Sequence, residues 1–230
     1  NHGRKRIITY HNVLPDAQFS GALHEGVSHS ARVFRQQLTY LLHIFPCDTD
    51  LDNPYSLTIT FDDGYLNQYT EAHSVLVELG LRAYFFCPLA LLETAEPLLT
   101  DRLLCWLSYV PYGVYTLPLP VGNVPLALSI ASDSDRRFCW VILYRLITEG
   151  EIDEQTLMAM FEACVPFATI RACMSADDYA LRFTSIPDSA IAEMQAWGHR
   201  FGAHGRTHRS MALLDDDALK QEVAACSAQL

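Results

Sequence analysis

The first 87 residues alternate between segments with strand character and segments with helix character, and this alternation limits the possible folds more than any other feature. Residues 6–13, 55–61 and 81–87 are rich in β-branched and aromatic residues, which favour strands. Between them apolar residues recur at helical spacing, and Gly80 supplies a helix stop. This order predicts an α/β fold with a parallel sheet, whose strands direct polar groups to one edge.

The alternation is lost between about residues 93 and 184. Prolines interrupt the first half of this stretch, while residues 138–147 and 157–164 have helical periodicity. We interpret 93–184 as a mostly helical insertion within a single domain spanning 1–230. The alternation then resumes, with a helix between Pro187 and Gly198 and a strand over residues 200–203.

Composition excludes several classes of partner. The net charge of −11 argues against nucleic acid, because a phosphate footprint requires clustered Lys and Arg. No apolar stretch is long enough for a transmembrane segment. The seven cysteines include no C-x-x-C pair and are expected to be reduced thiols, and no signal peptide opens the chain. These features favour the cytoplasm, with export possible if a leader was removed; the oligomeric state is open.

Four polar residues follow predicted strands and form the candidate site. Asp62 and Asp63 end the second strand, and His204 and His208 are four residues apart after the last strand. A helical turn would place both imidazoles on one side. Two His and one carboxylate leave open positions on a cation, which is typical of a catalytic site for zinc, with cobalt or iron as alternatives. The other carboxylate can act as a general base.

Each motif has a more ordinary explanation when it occurs alone. An Asp-Asp-Gly sequence is most often a turn, and two histidines on a surface helix are more often solvated than bound to metal. Their joint occurrence, each after a predicted strand, is what favours a functional site.

These motifs resemble those of a known family. Thr60-Phe61-Asp62-Asp63-Gly64-Tyr65 and Gly202-Ala203-His204-Gly205-Arg206-Thr207-His208 are similar to the first two motifs of the polysaccharide deacetylases, the NodB-homology domain of carbohydrate esterase family four. The resemblance covers about residues 6–92 and 185–230. It implies a deformed (β/α) barrel that removes N-acetyl groups from N-acetylglucosamine-type sugars. It also implies that Asp62 is the catalytic base and that Asp63, His204 and His208 bind the metal.

The sequence departs from the family pattern in two ways. Gly205 stands where Ser or Thr is usual, so a softer loop is expected there. The later motifs, an Arg-x-Pro segment, an Asp with an aromatic wall and a Leu-x-His whose imidazole acts as general acid, do not follow His208. The barrel is therefore expected to be C-terminally incomplete, as the first part of a catalytic domain.

Three further residues are weaker candidates for substrate binding: His11, Tyr65 and Arg206. His11 could equally be a packed or capping histidine, Tyr65 a packing residue and Arg206 an exposed loop arginine. Trp197 is expected in the core.

The predicted function is metal-dependent hydrolysis of N-acetyl groups on an amino sugar in a polysaccharide or glycan precursor. One alternative is a carbohydrate-binding or scaffold homologue with impaired catalysis. Another is a deacylase acting on a different amide, such as a deformylase of an aminosugar lipid.

Overall fold

The computed structural model describes residues 5–19, 28–94, 96–121 and 124–229. The chain divides into two compact units, one formed by residues 1–19, 26–96 and 180–230 and the other by 20–25 and 97–179. The interpretation of residues 93–184 as an insertion within a single domain remains a proposal.

The secondary structure alternates in the first unit as the sequence predicts. The strands are β1 (Arg6–Tyr10), β2 (Asn12–Leu14), β3 (Ser28–Ser30), β4 (Leu57–Asp62), β5 (Tyr84–Cys87), β6 (Gly113–Val121), β7 (Val124–Ile130) and β8 (Arg200–Ala203). The helices are α1 (Ala31–Leu42), α2 (Ser74–Glu78), α3 (Leu89–Thr94), α4 (Leu99–Tyr109), α5 (Asp133–Thr148), α6 (Glu154–Cys164), α7 (Phe167–Arg171), α8 (Ala176–Phe183), α9 (Asp188–Trp197) and α10 (Asp216–Gln229). A π-helical segment, Gln68–His73, precedes α2, and a 3₁₀ turn spans Met211–Leu213.

A parallel sheet in the order β1-β4-β5-β8 forms the centre of the first unit. β4 is buried on both faces from Leu57 to Phe61, whereas β5 alternates between partly and fully buried side chains. The rings of Phe61 and Phe85 stack with centroids 4.7 Å apart, and Phe85 lies 5.4 Å from Phe201. The described residues thus form an open four-stranded sheet; the closed barrel implied by the family resemblance is not shown.

Local signals placed several boundaries correctly. Ser30 caps α1 by accepting a hydrogen bond from the Val33 amide at 3.2 Å. Gly198 ends α9 with a φ of 106°, where a Cβ would lie 2.5 Å from Nε of Arg82. The strand expected over residues 6–13 is instead interrupted at His11, and β2 pairs with β3 in a separate two-stranded sheet.

The second unit is less helical than expected. The helical periodicity over 138–147 and 157–164 corresponds to α5 and α6 and is confirmed. The proline-rich stretch before them contains the antiparallel hairpin β6–β7, which the sequence reading missed. Its register is irregular between Leu117 and Pro120, because proline has no amide hydrogen to donate to a ladder. Trp106 and Phe161 are fully buried in this unit, with ring centroids 4.3 Å apart.

Across the described ranges, no helix combines the length and the apolar character needed to cross a bilayer.

A pair of histidines is buried at the amino ends of β5 and β8. The amide of Ala83 donates to Nδ1 of His199 at 3.1 Å, so the His199 proton is assigned to Nε2. Nε2 lies 2.9 Å from Nδ1 of His73, which therefore accepts. Burial, with help from His73 and Arg82, lowers the pKa of His199 to about 4. The folded protein thus keeps this imidazole neutral well below the pH at which an unfolded one is protonated.

Stability should therefore fall as the pH falls through the range between these two values. Below about pH 6.5 the imidazole of His199 is protonated in the unfolded chain, whereas in the folded chain it stays neutral until about pH 4. This difference lowers the free energy of unfolding by at most about 3 kcal/mol. Urea unfolding at pH 7 and pH 4.5 measures this loss. His199→Asn keeps an acceptor near Ala83 but does not titrate. The decrease in the free energy of unfolding between pH 7 and pH 4.5 should therefore be smaller in this variant than in the unmodified chain. His43→Asn, at an exposed position, is the matched control; an equal loss in both variants would contradict the assignment.

Candidate metal and catalytic site

The carboxyl ends of β4 and β8 bring the predicted metal ligands together. Asp63 directly follows β4, and His204 directly follows β8, where its amide donates to the carbonyl of Cys87 at 2.9 Å. Asp63, His204 and His208 each offer one ligand atom, and these atoms lie within 4.8 Å of one another. The parallel sheet thus creates the meeting point that the sequence pattern predicted.

The distances in this group suit a small divalent cation. Oδ1 of Asp63 lies 3.1 Å from Nε2 of His208 and 3.7 Å from Nε2 of His204. Nitrogen and oxygen ligands of a tetrahedral zinc ion stand about 3.4 Å apart. Asp63 is 5% exposed, and its Oδ1 is buried without an aligned hydrogen-bond donor among the described residues. A buried anionic oxygen facing two imidazoles is the donor set that zinc prefers.

The backbone at two of the three ligands is in the left-handed region. Asp63 has a φ of 76° and His208 a φ of 60°, which are uncommon for residues other than glycine. Gly64 follows with a φ of 66°, and a Cβ there would lie 2.4 Å from Sγ of Cys87. Such conformations persist where the surrounding structure enforces them, and they cluster at functional sites.

The helical turn predicted between His204 and His208 is wrong. Residues 204–209 form an irregular loop, in which Gly205 has a φ of 73°. The loop still places the two rings together, with centroids 5.1 Å apart. A serine or threonine at position 205 would be strained by this φ, which gives the glycine a conformational reason.

Neighbouring helices fix this loop on both sides. The amides of Leu89 and Ala90, at the start of α3, donate to the carbonyls of Gly205 and Arg206 at 3.2 and 2.8 Å. From the other side, Glu222 of α10 accepts hydrogen bonds from the amides of Arg206 and Thr207 at 2.6 and 3.1 Å and from the Thr207 hydroxyl. The sequence reading missed Glu222, and this bracing stands in for the hydroxyl that Gly205 lacks.

Electrostatics separate the two adjacent carboxylates. Burial raises the pKa of Asp62, although the imidazoles of His204 and His11 act in the opposite direction. Burial also acts to raise the pKa of Asp63, but the proximity of His208, and of His11 and His204, outweighs it and leaves that pKa below the usual range. These opposite shifts favour Asp63 as the anionic member of the group and Asp62 as the stronger proton acceptor, as the sequence predicts.

His11 faces Asp62, with its Nε2 3.9 Å from Oδ2 of the carboxylate and both side chains partly exposed. It occupies the break between β1 and β2. Of the three weaker candidates, His11 is thus the one that lies beside the predicted base.

The other two weaker candidates have structural partners. Tyr65 is 2% exposed, which favours its packing alternative over contact with substrate. Arg206 is exposed and lies 3.9 Å from Glu93, an ion pair at the rim of the loop. Their roles toward a substrate remain predictions.

Two fully buried side-chain amides, which were not predicted from the sequence, hold the backbone around the site. Gln68 donates to the carbonyls of His11 and Asp62, so it ties β1 to β4 at the point where both reach the site. Asn67 donates to Oδ1 of Asn12 at 2.6 Å and accepts from the Val13 amide at 2.9 Å. The available signal was a pair of adjacent amides at the start of an otherwise apolar helical pattern. Gln68 also begins the π-helical segment, a feature that often occurs at functional sites.

Comparisons with known proteins give matches among solved structures. No family model matches the sequence, and no curated protein matches it. The Streptococcus pyogenes deacetylase PplD in complex with acetate matches with a TM-score of 0.50 and 12% identity, over 97% of this chain and 66% of that chain. IcaB from Ammonifex degensii matches with a TM-score of 0.48 and 17% identity, over 98% and 67% of the two chains. A de-N-acetylase from Aggregatibacter actinomycetemcomitans matches with a TM-score of 0.33 and 20% identity, over 40% of each chain.

The match to PplD describes the fold. At 12% identity, the likeness to PplD supports a shared architecture, and this chain spans less than two thirds of that chain's length. The case for an activity therefore comes from the residues of the site.

Removing the Glu222 carboxylate should loosen the ligand loop. Glu222→Ala leaves two partly buried amides and a hydroxyl without their acceptor, which should lower the free energy of unfolding by about 2 kcal/mol. Affinity for zinc, measured by competition with a chelator, should fall about 10- to 100-fold. In Glu222→Gln the side-chain oxygen can still accept hydrogen bonds from the amides. The stability and zinc affinity of this variant should therefore lie between those of the unmodified chain and of Glu222→Ala.

The matched control is Asp217→Ala on the same helix, whose side chain is 88% exposed. If Glu222→Ala and Asp217→Ala gave the same stability and zinc affinity, Glu222 would have no role in holding the loop.

Proposed function

We propose that this chain is part of a metal-dependent amidohydrolase that removes N-acetyl groups from an N-acetylated amino sugar within a polysaccharide or glycan precursor. The observation that carries this proposal is the convergence of Asp63, His204 and His208 at the carboxyl edge of the sheet with a second carboxylate, Asp62, beside them.

The metal would be held by Asp63, His204 and His208, and zinc suits their donor atoms best. When bound, such a cation acts as a Lewis acid toward the acetamide oxygen and makes a nearby water more acidic. The buried Asp63 oxygen, which lacks an aligned donor in the described structure, supports this assignment.

Asp62 would serve as the general base. Burial raises its pKa, which makes its carboxylate a stronger proton acceptor than an exposed aspartate. It would take a proton from the water whose oxygen attacks the acetamide carbon. Gln68 holds the Asp62 carbonyl, which supports a fixed approach of the carboxylate.

His11 would supply the proton that the leaving nitrogen requires. As the carbon–nitrogen bond breaks, the amine must gain a proton, and Nε2 of His11 lies 3.9 Å from Asp62 at the same opening. His11 lies between β1 and β2, beside the carboxyl end of β4 that carries Asp62. The net charge of −11 is compatible with a neutral substrate and a cationic product.

Substitutions should separate proton transfer from metal binding. Asp62→Asn should lower kcat for acetate release from a chito-oligosaccharide by about 10²- to 10⁴-fold while zinc content stays near that of the unmodified chain. His11→Gln should lower kcat by about 10²-fold, again with the metal retained. The assay uses the longest version of the chain that folds, loaded with zinc. Full activity in Asp62→Asn would rule out this mechanism.

Loss of a ligand should remove the metal itself. His204→Ala and His208→Ala should reduce bound zinc, measured by mass spectrometry, and abolish acetate release together. His43→Ala, far from the site in sequence and exposed, serves as control. A scaffold without catalysis would bind the oligosaccharide in all variants and release no acetate in any. A deformylase would release formate from a formylated amino sugar and leave the acetyl group in place.

A further inference from the structure

A second group of polar and aromatic side chains lines a groove on the outer face of the first unit. The groove has a volume of about 620 Å³ and is lined by His73, Ser74, Val77, Glu193, Ala196 and Trp197. Trp197 is the last residue of α9, three residues before β8 begins, so the groove lies toward the amino ends of the strands. The metal ligands lie at the carboxyl ends, and none of them lines this groove.

The indole of Trp197 is held as a partly exposed ring. Its Nε1 donates to the carbonyl of Leu81 at 3.3 Å, and the residue is 40% exposed. This corrects the expectation that Trp197 belongs to the core. A fixed aromatic face exposed to solvent is a surface on which the apolar face of a pyranose ring, or a cation, can rest.

The Glu193 carboxylate is also fixed while remaining accessible. Oε2 accepts a hydrogen bond from the Tyr69 hydroxyl at 2.7 Å, and Oε1 lies 3.8 Å from Nε2 of His73. The side chain is 60% exposed, so lone pairs remain for a ligand.

The buried histidine pair fixes the third group. Because His199 accepts from Ala83 and donates to Nδ1 of His73, the His73 proton is placed on Nε2, which points toward Glu193. The His73 ring also stacks on Tyr69, with centroids 5.8 Å apart. A donor, an acceptor with full charge and an aromatic face are thus held by neighbouring groups of the protein before any ligand arrives, which lowers the cost of binding.

We propose that this groove binds a glucosamine-type unit of a glycan, with its ammonium group on Glu193 and its ring on Trp197. The inference rests on the proposed function, because hydrolysis of the acetamide turns a neutral sugar into this cation. Charge complementarity selects the amino sugar over its acetylated form: the only fully charged lining group is a carboxylate, and the chain carries a net charge of −11. Binding here would keep a partly deacetylated polymer attached while another unit reaches the metal site.

The test is calorimetric titration of the Asp62→Asn chain with the tetramer of glucosamine and with the tetramer of N-acetylglucosamine. The expected result is about fivefold tighter binding of the glucosamine tetramer, a preference that Glu193→Gln abolishes. Asp52→Asn removes the same unit of charge at an exposed position and should keep the preference. Trp197→Ala should weaken binding of both tetramers by about tenfold, while Trp197→Phe, which keeps a ring, should stay within about twofold of the parent.

Equal affinity for the two tetramers, or the same effect from Glu193→Gln and Asp52→Asn, would overturn the proposal. Its failure is distinguishable from failure of the proposed function. Binding to the groove needs no turnover. Acetate release by Glu193→Gln from an N-acetylglucosamine dimer should match that of the unmodified chain.

Discussion

A desolvated aspartate between two imidazoles is the interaction on which the architecture of this site depends. Asp63 is 5% exposed and faces Nε2 atoms of His208 and His204, and its backbone has a φ of 76°. A buried carboxylate is costly unless polar partners face it, and the pairing of β8 with β5 brings the imidazole of His204 to it. The order β1-β4-β5-β8 does this, since it places His204 across from the turn that carries Asp63.

The loop that supplies the imidazoles is fixed by backbone contacts. Its carbonyls accept from the first amides of α3, and its own amides donate to Glu222 of α10. Burial acts to raise the pKa of Glu222, but these hydrogen bonds outweigh it and hold that pKa below its ordinary range. The carboxylate thus stays charged where its charge strengthens each bond. The shape of the loop is therefore determined mainly by contacts of its peptide groups, together with the φ of 73° that Gly205 permits.

Much of this arrangement could be predicted from the sequence, because it follows from the periodicity of apolar residues and from the position of polar residues at the ends of strands. The strand–helix alternation identified the parallel sheet, and polar residues at strand ends identified the four residues of the site. Glu222 was missed because Leu219, Val223 and Cys226 mark an apolar face of α10, whereas Val223 is 50% exposed and Glu222 is buried. The periodicity of apolar residues cannot predict that a helix buries a glutamate whose carboxylate accepts hydrogen bonds from peptide amides. The β6–β7 hairpin was missed for a related reason, since its prolines weaken every local strand signal and its pairing is a contact between strands.

Cys87 gives the site a property that its ligands alone do not. Its Sγ fills the space beside Gly64, where a Cβ would approach within 2.4 Å, and burial, with the nearby Asp63 and Asp62, raises the pKa of the thiol to about 12. A thiol that stays protonated is a poor ligand and a poor nucleophile. In the absence of a bound metal, the Cys87 thiol is therefore expected to stay protonated and to react slowly with mild oxidants. At the proposed metal site, selectivity among cations would depend on nitrogen and oxygen donors, even though Cys87 packs against the turn that carries Asp63.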